Sequence, residues 1–200
     1  NGDPLWYMDE KDANKNPTGR RVTTNDYSSA DYYYVNKSSL PKVYGGFNTS
    51  LSWKGFDLSA IFAYSIGGYI YNRDVTMLLH NGSLEGRDWS TEILKRWTPD
   101  NRYTDVPALS TTSNNWNSAS TRFLQNNSYM RLKNLTLSYN LPKQWISKLS
   151  LSSVQVYVQG DNLFTIHRNQ GLDPEQGITG ITYYRYPAMR TISGGINLSF

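Results

Sequence analysis

The side chains able to do covalent or metal chemistry are few and scattered. His80 and His167 lie far apart, and neither has a second ligand at metal-binding spacing. Cys is absent, which removes thiolate metal sites, thiol nucleophiles and disulfides. Asp12, Asn14 and Asn16 alternate as the first ligands of a calcium loop do, yet Pro17 stands where that loop needs Gly and Thr23 where it needs a bidentate Glu. They read instead as Asx turns in a solvated loop. Asp173 and Glu175 are a carboxylate pair, but Asp-Pro-Glu in a loop is a turn signal, and nothing sets two carboxyls across a cleft as glycoside hydrolysis requires. No base and orienter can be assigned to the many Ser and Thr hydroxyls. The sequence predicts no catalytic residue, no metal, no cofactor and no enzyme.

Non-covalent recognition is what the composition favours. Sixteen Tyr and six Trp bring the aromatic fraction to 14%, while the apolar fraction of 38% is below the usual ~45–50%. An aromatic-rich, Leu-poor chain suits sheets better than helix bundles. The net charge of +4 is spread out, with acids among the Lys and Arg, so no basic stripe points to nucleic acid. No run approaches the ~18 apolar residues of a spanning helix, and no signal peptide opens the chain. A mean hydropathy of −0.60 does not exclude a membrane, because a barrel strand hides half its residues from lipid. The sequence opens on Asn1 rather than Met, which suggests a processed product or a fragment.

Residues 1–42 are polar, turn-rich and studded with Tyr, and are expected to form a loop. Alternation starts at Val43. Val43, Phe47, Leu51 and Trp53 share one face, and after a turn at Lys54–Asp57 so do Leu58, Ala60, Phe62, Tyr64 and Ile66, giving a hairpin over 43–69. Gly45 and Gly46 mark a bend or close backbone approach. The excursion over 70–128 is too long for an ordinary connection. Within it Trp89, Ile93 and Trp97 have helical spacing, which predicts a short amphipathic helix capped by Asp88 or Ser90 and ended before Pro99. The Ser/Thr/Asn stretch around Trp116 reads as an exposed, mobile tip. Two further strands occupy 129–164, with Leu135, Leu137, Tyr139 and Leu141 on one face and Val154, Val156 and Val158 alternating with polar residues. A loop over 165–189 leads to a last strand over 190–200.

In that last strand Ile192, Ile196, Leu198 and Phe200 fall on one face. Its length suits a tilted membrane strand of ~9–11 residues, and the spacing of Ser193, Gly195, Leu198 and Phe200 resembles the C-terminal assembly signal of outer-membrane barrels. The connections alternate between long and short, so every long one lies at the same end of the sheet. Outer-membrane barrels likewise have short periplasmic turns and longer extracellular loops. With Phe200 periplasmic, the long loops face outside, and Asn134, Thr136, Ser138, Gln155, Gln159 and Asp161 line the lumen. Trp116, Tyr183, Tyr184 and Arg185 are then the candidates for ligand contact, by ring stacking and hydrogen bonding; the competing role for each is loop packing or the interfacial aromatic girdle.

Several segments together resemble a known family. Leu40-Pro-Lys-Val-Tyr-Gly-Gly-Phe47, Trp53-Lys-Gly-Phe-Asp-Leu58, Arg96-Trp-Thr-Pro-Asp100, Tyr129-Met-Arg-Leu-Lys-Asn134, Gly160-Asp-Asn-Leu-Phe164, Gly171-Leu-Asp-Pro174 and the closing strand follow one another as in the C-terminal part of the SusC/RagA family of TonB-linked outer-membrane transporters. The resemblance implies an all-β fold: C-terminal antiparallel strands of a large transmembrane β-barrel with long extracellular loops. It also implies a location in the bacterial outer membrane, a plug, contact with TonB through a segment not seen here, and a SusD-like lipoprotein that captures oligosaccharides or peptides. About five strands can be read, too few to close a barrel in lipid, so the remaining strands and the plug are expected from another chain or from more of this one. The alternative from a different class is a secreted carbohydrate-binding β-sandwich, which would bury Leu51, Leu137, Val156 and Ile196 in one interior.

Overall fold

The computed structural model describes residues 2–80, 82, 84–110, 115–147, 151–169, 171, 173–175, 179–182 and 184–200. Lys54 and Gly55 carry positive φ angles of 48° and 89°. Two consecutive left-handed residues make the tight turn whose twist matches that of paired strands. They join β3 (Val43–Trp53) to β4 (Phe56–Ile66), with Trp53 opposite Phe56 and Val43 opposite Ile66. The sheet continues through β7 (Tyr129–Asn140), β8 (Ser153–His167) and β9 (Thr191–Ser199) in the order β3-β4-β7-β8-β9, antiparallel throughout. The tight turn and the connection carrying the short helix α2 (Lys143–Ile146) lie at one end of the sheet. The connections from β4 to β7 and from β8 to β9 both lie at the other.

Register sorts the side chains onto two unlike faces. Val43, Phe47, Leu51 and Trp53 of β3 meet Ile66, Phe62, Leu58 and Phe56 of β4. Leu58 continues onto Leu137, Leu137 onto Val158, and Val156 onto Ile196. The Phe47 and Phe62 rings stack at 4.7 Å. This apolar face is open: Leu51, Leu137, Val156 and Ile196 are 67%, 42%, 43% and 63% exposed. The opposite face is polar, with Asp57, Ser138 and Tyr157 in one row and Asn134 and Asp161 in another.

A bulge keeps the faces consistent. Lys133 has no partner in either ladder: Leu132 pairs with Phe62 and Phe164, and Asn134 with Ile61 and Asp161. The extra residue flips the alternation of β7, so that Leu132 and Leu135 both reach the apolar face while Arg131 and Asn134 both reach the polar one. Asn162, opposite the bulge, has a φ of 51°. On β9 the phenol of Tyr157 lies across Gly195, where a Cβ would sit 2.7 Å from its hydroxyl.

The chain divides into two units: residues 38–70 with 125–200, which hold this sheet, and residues 1–37 with 71–124. The second contains a hairpin of β1 (Trp6–Lys11) and β2 (Pro17–Thr24), where the sequence suggested only a solvated loop. Its tip is the Asp12 Asx turn, the carboxylate accepting from the Asn14 and Asn16 amides at 2.8 and 2.9 Å. The two-stranded pair of β5 (Tyr69–Tyr71) and β6 (Leu124–Asn126) carries the chain across the boundary, followed by helix α1 (Arg73–Leu78). No helix among the described residues is long and apolar enough to cross a membrane, which says nothing of strands.

Two expectations fail here. The helical spacing of Trp89, Ile93 and Trp97 yields only a 3-10 turn over Thr91–Lys95, capped by Ser90, which accepts from the Glu92 amide at 3.3 Å. Trp97 is drawn out of any helix by a bond from its amide to the Val106 carbonyl at 2.8 Å. Trp116 is not on an exposed tip: it is 3% exposed and packs in a buried cluster with Ile93 and Val106.

Candidate functional site

On the polar face of the sheet, short side chains bond to one another along and across the strands. Asn134 donates to Asp161 at 2.7 Å and accepts from Thr136 at 2.9 Å, and Gln159 donates to Asp161 at 3.2 Å. Nearer the short-turn end, Gln155 donates to Ser138 at 3.3 Å and accepts from Asn197 at 3.1 Å. Asn140 donates to Asp57 at 2.7 Å, and Ser52 bonds the other oxygen of that carboxylate. All six residues predicted to line a lumen therefore lie on this face. Ser193 and Gly195 lie on it too, opposite Gln159 and Tyr157, whereas Leu198 lies on the apolar face opposite Val154 and Phe200 follows the strand, almost wholly exposed.

At the long-connection end of the same unit, an ionic cluster that sequence reasoning passed over is built around the buried Arg131. Arg131, 3% exposed, donates to Thr165 at 2.8 Å, to Glu175 at 2.8 Å and to Asp173 at 2.6 Å. Lys133, the bulge residue, reaches Glu175 at 2.6 Å. Asp173 also accepts from the amides of Glu175 and Ala188 at 2.9 and 2.6 Å. Burial alone would raise its pKa, but the Arg131 hydrogen bond and the two amides outweigh that and hold the carboxyl below its usual value. The carboxylate pair is thus a clamp that fastens the β8–β9 connection to β7. Asn127 adds to it by donating to the Pro174 carbonyl at 2.8 Å. The signal was present in two matched segments, Tyr129–Asn134 and Gly171–Pro174, and in an Arg placed among strand residues.

The other unit holds a cavity of about 1040 Å³ whose wall is aromatic, including Trp6, Tyr27, Tyr33, Trp97 and Trp116. Trp6 and Tyr27 meet edge to face at 5.3 Å, and the Arg21 guanidinium lies 4.0 Å over the Tyr33 ring. The Tyr27 hydroxyl donates to the Ala119 carbonyl at 3.1 Å, and burial raises its pKa. Arg122 stands over Trp116 and Phe123, and desolvation lowers its pKa against the opposing charge of Asp105. Such a surface suits stacking on flat rings and hydrogen bonding to polar edges.

The described residues among the four predicted ligand contacts are divided between the two units. Trp116 lies in this unit, largely consumed by packing. Tyr184 and Arg185 are exposed in the β8–β9 connection of the other. Tyr183 lies outside the described residues. His80 is buried, its Nδ1 accepting from the Gly82 amide at 3.2 Å and the Trp89 indole at 3.1 Å, and the other unit contains His167. Among the described residues no cluster of His, Asp or Glu could hold a metal.

A meander with one open apolar face, one hydrogen-bonded polar face and its long connections at one end is the wall of an outer-membrane-type barrel. No family model matches the chain. TonB-dependent receptors P3 and P26 of Formosa agariphila are 36% and 30% identical to it over 166 and 184 residues, or 78% and 86% of this chain. The TonB-dependent receptor SusC of Bacteroides thetaiotaomicron is 28% identical over 168 residues, 84% of this chain. The solved RagAB peptide transporter superposes over 100% of the chain with a TM-score of 0.81 at 36% identity, and the RagAB peptide importer in its open-open state does so with 0.81 at 35%. The chain belongs to the SusC/RagA family of TonB-dependent receptors, and these relatives are receptors and transporters, not enzymes. It spans 16–18% of the length of the curated relatives and 21% of the solved chains.

Proposed function

We propose that this chain is a wall and outer-loop segment of a TonB-dependent transporter in the bacterial outer membrane. That transporter would import oligosaccharides or peptides with a SusD-like lipoprotein, and be completed by further strands and a plug that contacts TonB. The observation that carries this reading is the two-faced sheet: a belt of exposed Leu, Val, Ile and Phe fits lipid, and the polar face fits a wet lumen. In this reading Asn134, Thr136, Ser138, Gln155, Gln159 and Asp161 line the passage. Ser193, Gly195, Leu198 and Phe200 serve barrel assembly, and Tyr183, Tyr184 and Arg185 contact cargo or lid. Trp116 supports the outer loops by packing. The work is binding and gating, with no covalent step. The sandwich reading loses its main support, because Leu51, Leu137, Val156 and Ile196 share a face that is open rather than interior.

The test is extraction of the native protein from membranes in mild detergent, without heating, and identification of every chain that copurifies. Recovery with a plug, the remaining strands and a lipoprotein is expected. A folded, water-soluble monomer would overturn the reading.

A further inference from the structure

A second, smaller cavity of about 470 Å³ lies in the unit that holds the sheet, between the far end of β8 and residues 185–190. Arg185 and Arg190 form part of its wall, with Phe164 and His167 contributing from β8. The one carboxylate in the wall, Asp173, is already committed to Arg131 and to two backbone amides. Glu175, its neighbour, is committed to Arg131 and Lys133. Those two cations balance those two anions, so the charges of Arg185 and Arg190 remain uncompensated: among the described residues neither has a carboxylate at ion-pair distance. The His167 Nδ1 faces the Asn169 carbonyl at 3.0 Å.

Two guanidinium groups in a concave site, neither with a carboxylate at ion-pair distance among the described residues, match a planar anion. We propose that this cavity binds a carboxylate carried on the cargo. The site lies at the long-connection end of the sheet, so a carboxylate held there would be met at the outer rim. The inference rests on the transport reading only for the word cargo; the site itself stands on the cavity and its unbalanced charge.

The intact transporter containing this segment, purified in detergent, would be titrated calorimetrically with sodium glucuronate, N-acetylalanine and glucose 6-sulfate. Glucose and N-acetylalanine amide serve as neutral counterparts. Both carboxylates are expected to bind about tenfold or more tightly than their counterparts, and the double variant Arg185→Gln/Arg190→Gln to lose that advantage. Unheated gel mobility checks that the variant barrel is folded. Arg20→Gln, which removes an exposed cation of β2 that does not line this cavity, is expected to leave the carboxylate preference within about twofold. Equal binding of charged and neutral probes, binding of the sulfate ester alone, or an equal loss in Arg20→Gln would each overturn the proposal. Carboxylate binding by a protein that imports nothing would sink the transport reading and leave the site. Import with no carboxylate preference would do the reverse.

Discussion

The two units of this chain place their apolar side chains in opposite ways. In the unit built on 1–37 and 71–124, Ile93, Val106 and Trp116 are inside, each no more than 5% exposed. In the sheet, Leu51, Val158 and Ile192 are outside and Asn134, Ser138 and Asp161 bond to one another on the other face. On the proposed reading the hydrophobic effect has one sign in both units, and the solvent differs. A unit surrounded by water hides its apolar groups, whereas a strand facing lipid presents them and keeps its polar groups where they can bond. Burial of a residue is therefore a guide to its importance in the first unit and a poor one in the second.

The sharpest way to break this contrast is a large-to-small change in the unit built on 1–37 and 71–124. Trp116→Ala is expected to cost about 3–5 kcal/mol there. Hydrogen exchange should show lost protection at Ile93 and Val106 and none lost in β7 and β8; uniform loss would mean that the two units do not fold separately. Next comes a charge on either face of β7. A charge on a lipid face costs about 2–4 kcal/mol at the bilayer midplane and less towards its edges, so Leu137→Arg should cost more than Thr136→Arg, one residue away on the polar face. Urea titration of the barrel in lipid would compare them, and equal costs would remove the case for two solvents. The smallest effect is electrostatic. Because its folded pKa is depressed, Asp173 stabilises the β8–β9 connection fully above the ordinary Asp value of ~3.9, and that contribution fades as pH falls through the lower folded value. Proteolysis near residues 179–190 should rise on acidification below that point, and less so in Asp173→Asn, which is already weakened.

What could be read in the sequence follows from the same contrast. The strands were legible because period-two alternation survives wherever one face is lipid-like and the other polar, as from Leu135 to Tyr139. Before Lys133 the phase is reversed, and a bulge is invisible to a pattern that assumes an unbroken strand; Arg131, the best-buried charge in the sheet, lies in that reversed stretch. In the other unit the pattern misled. Trp89, Ile93 and Trp97 have helical spacing, yet backbone bonds to the Val106 region decide the conformation. Trp116 is surrounded by Ser, Thr and Asn, so composition hid a core residue. The β1–β2 hairpin lacks a clean apolar face, its inward side being only half-buried, and gave no alternation to read. The aromatic cavity joins residues from both ends of that unit's sequence, a juxtaposition that no local spacing encodes.

The phenol of Tyr157 above Gly195 also acts as an error check on alignment. Were β9 to slide by two residues along β8, Ser193 or Asn197 would come beneath the ring, and each brings a Cβ that at Gly195 would lie 2.7 Å from the hydroxyl. Such a slip would preserve which side chains face lipid, so hydrophobicity alone could not reject it. A slipped β9 would have to push the Tyr157 ring aside, a cost that the correct alignment avoids through one absent carbon atom.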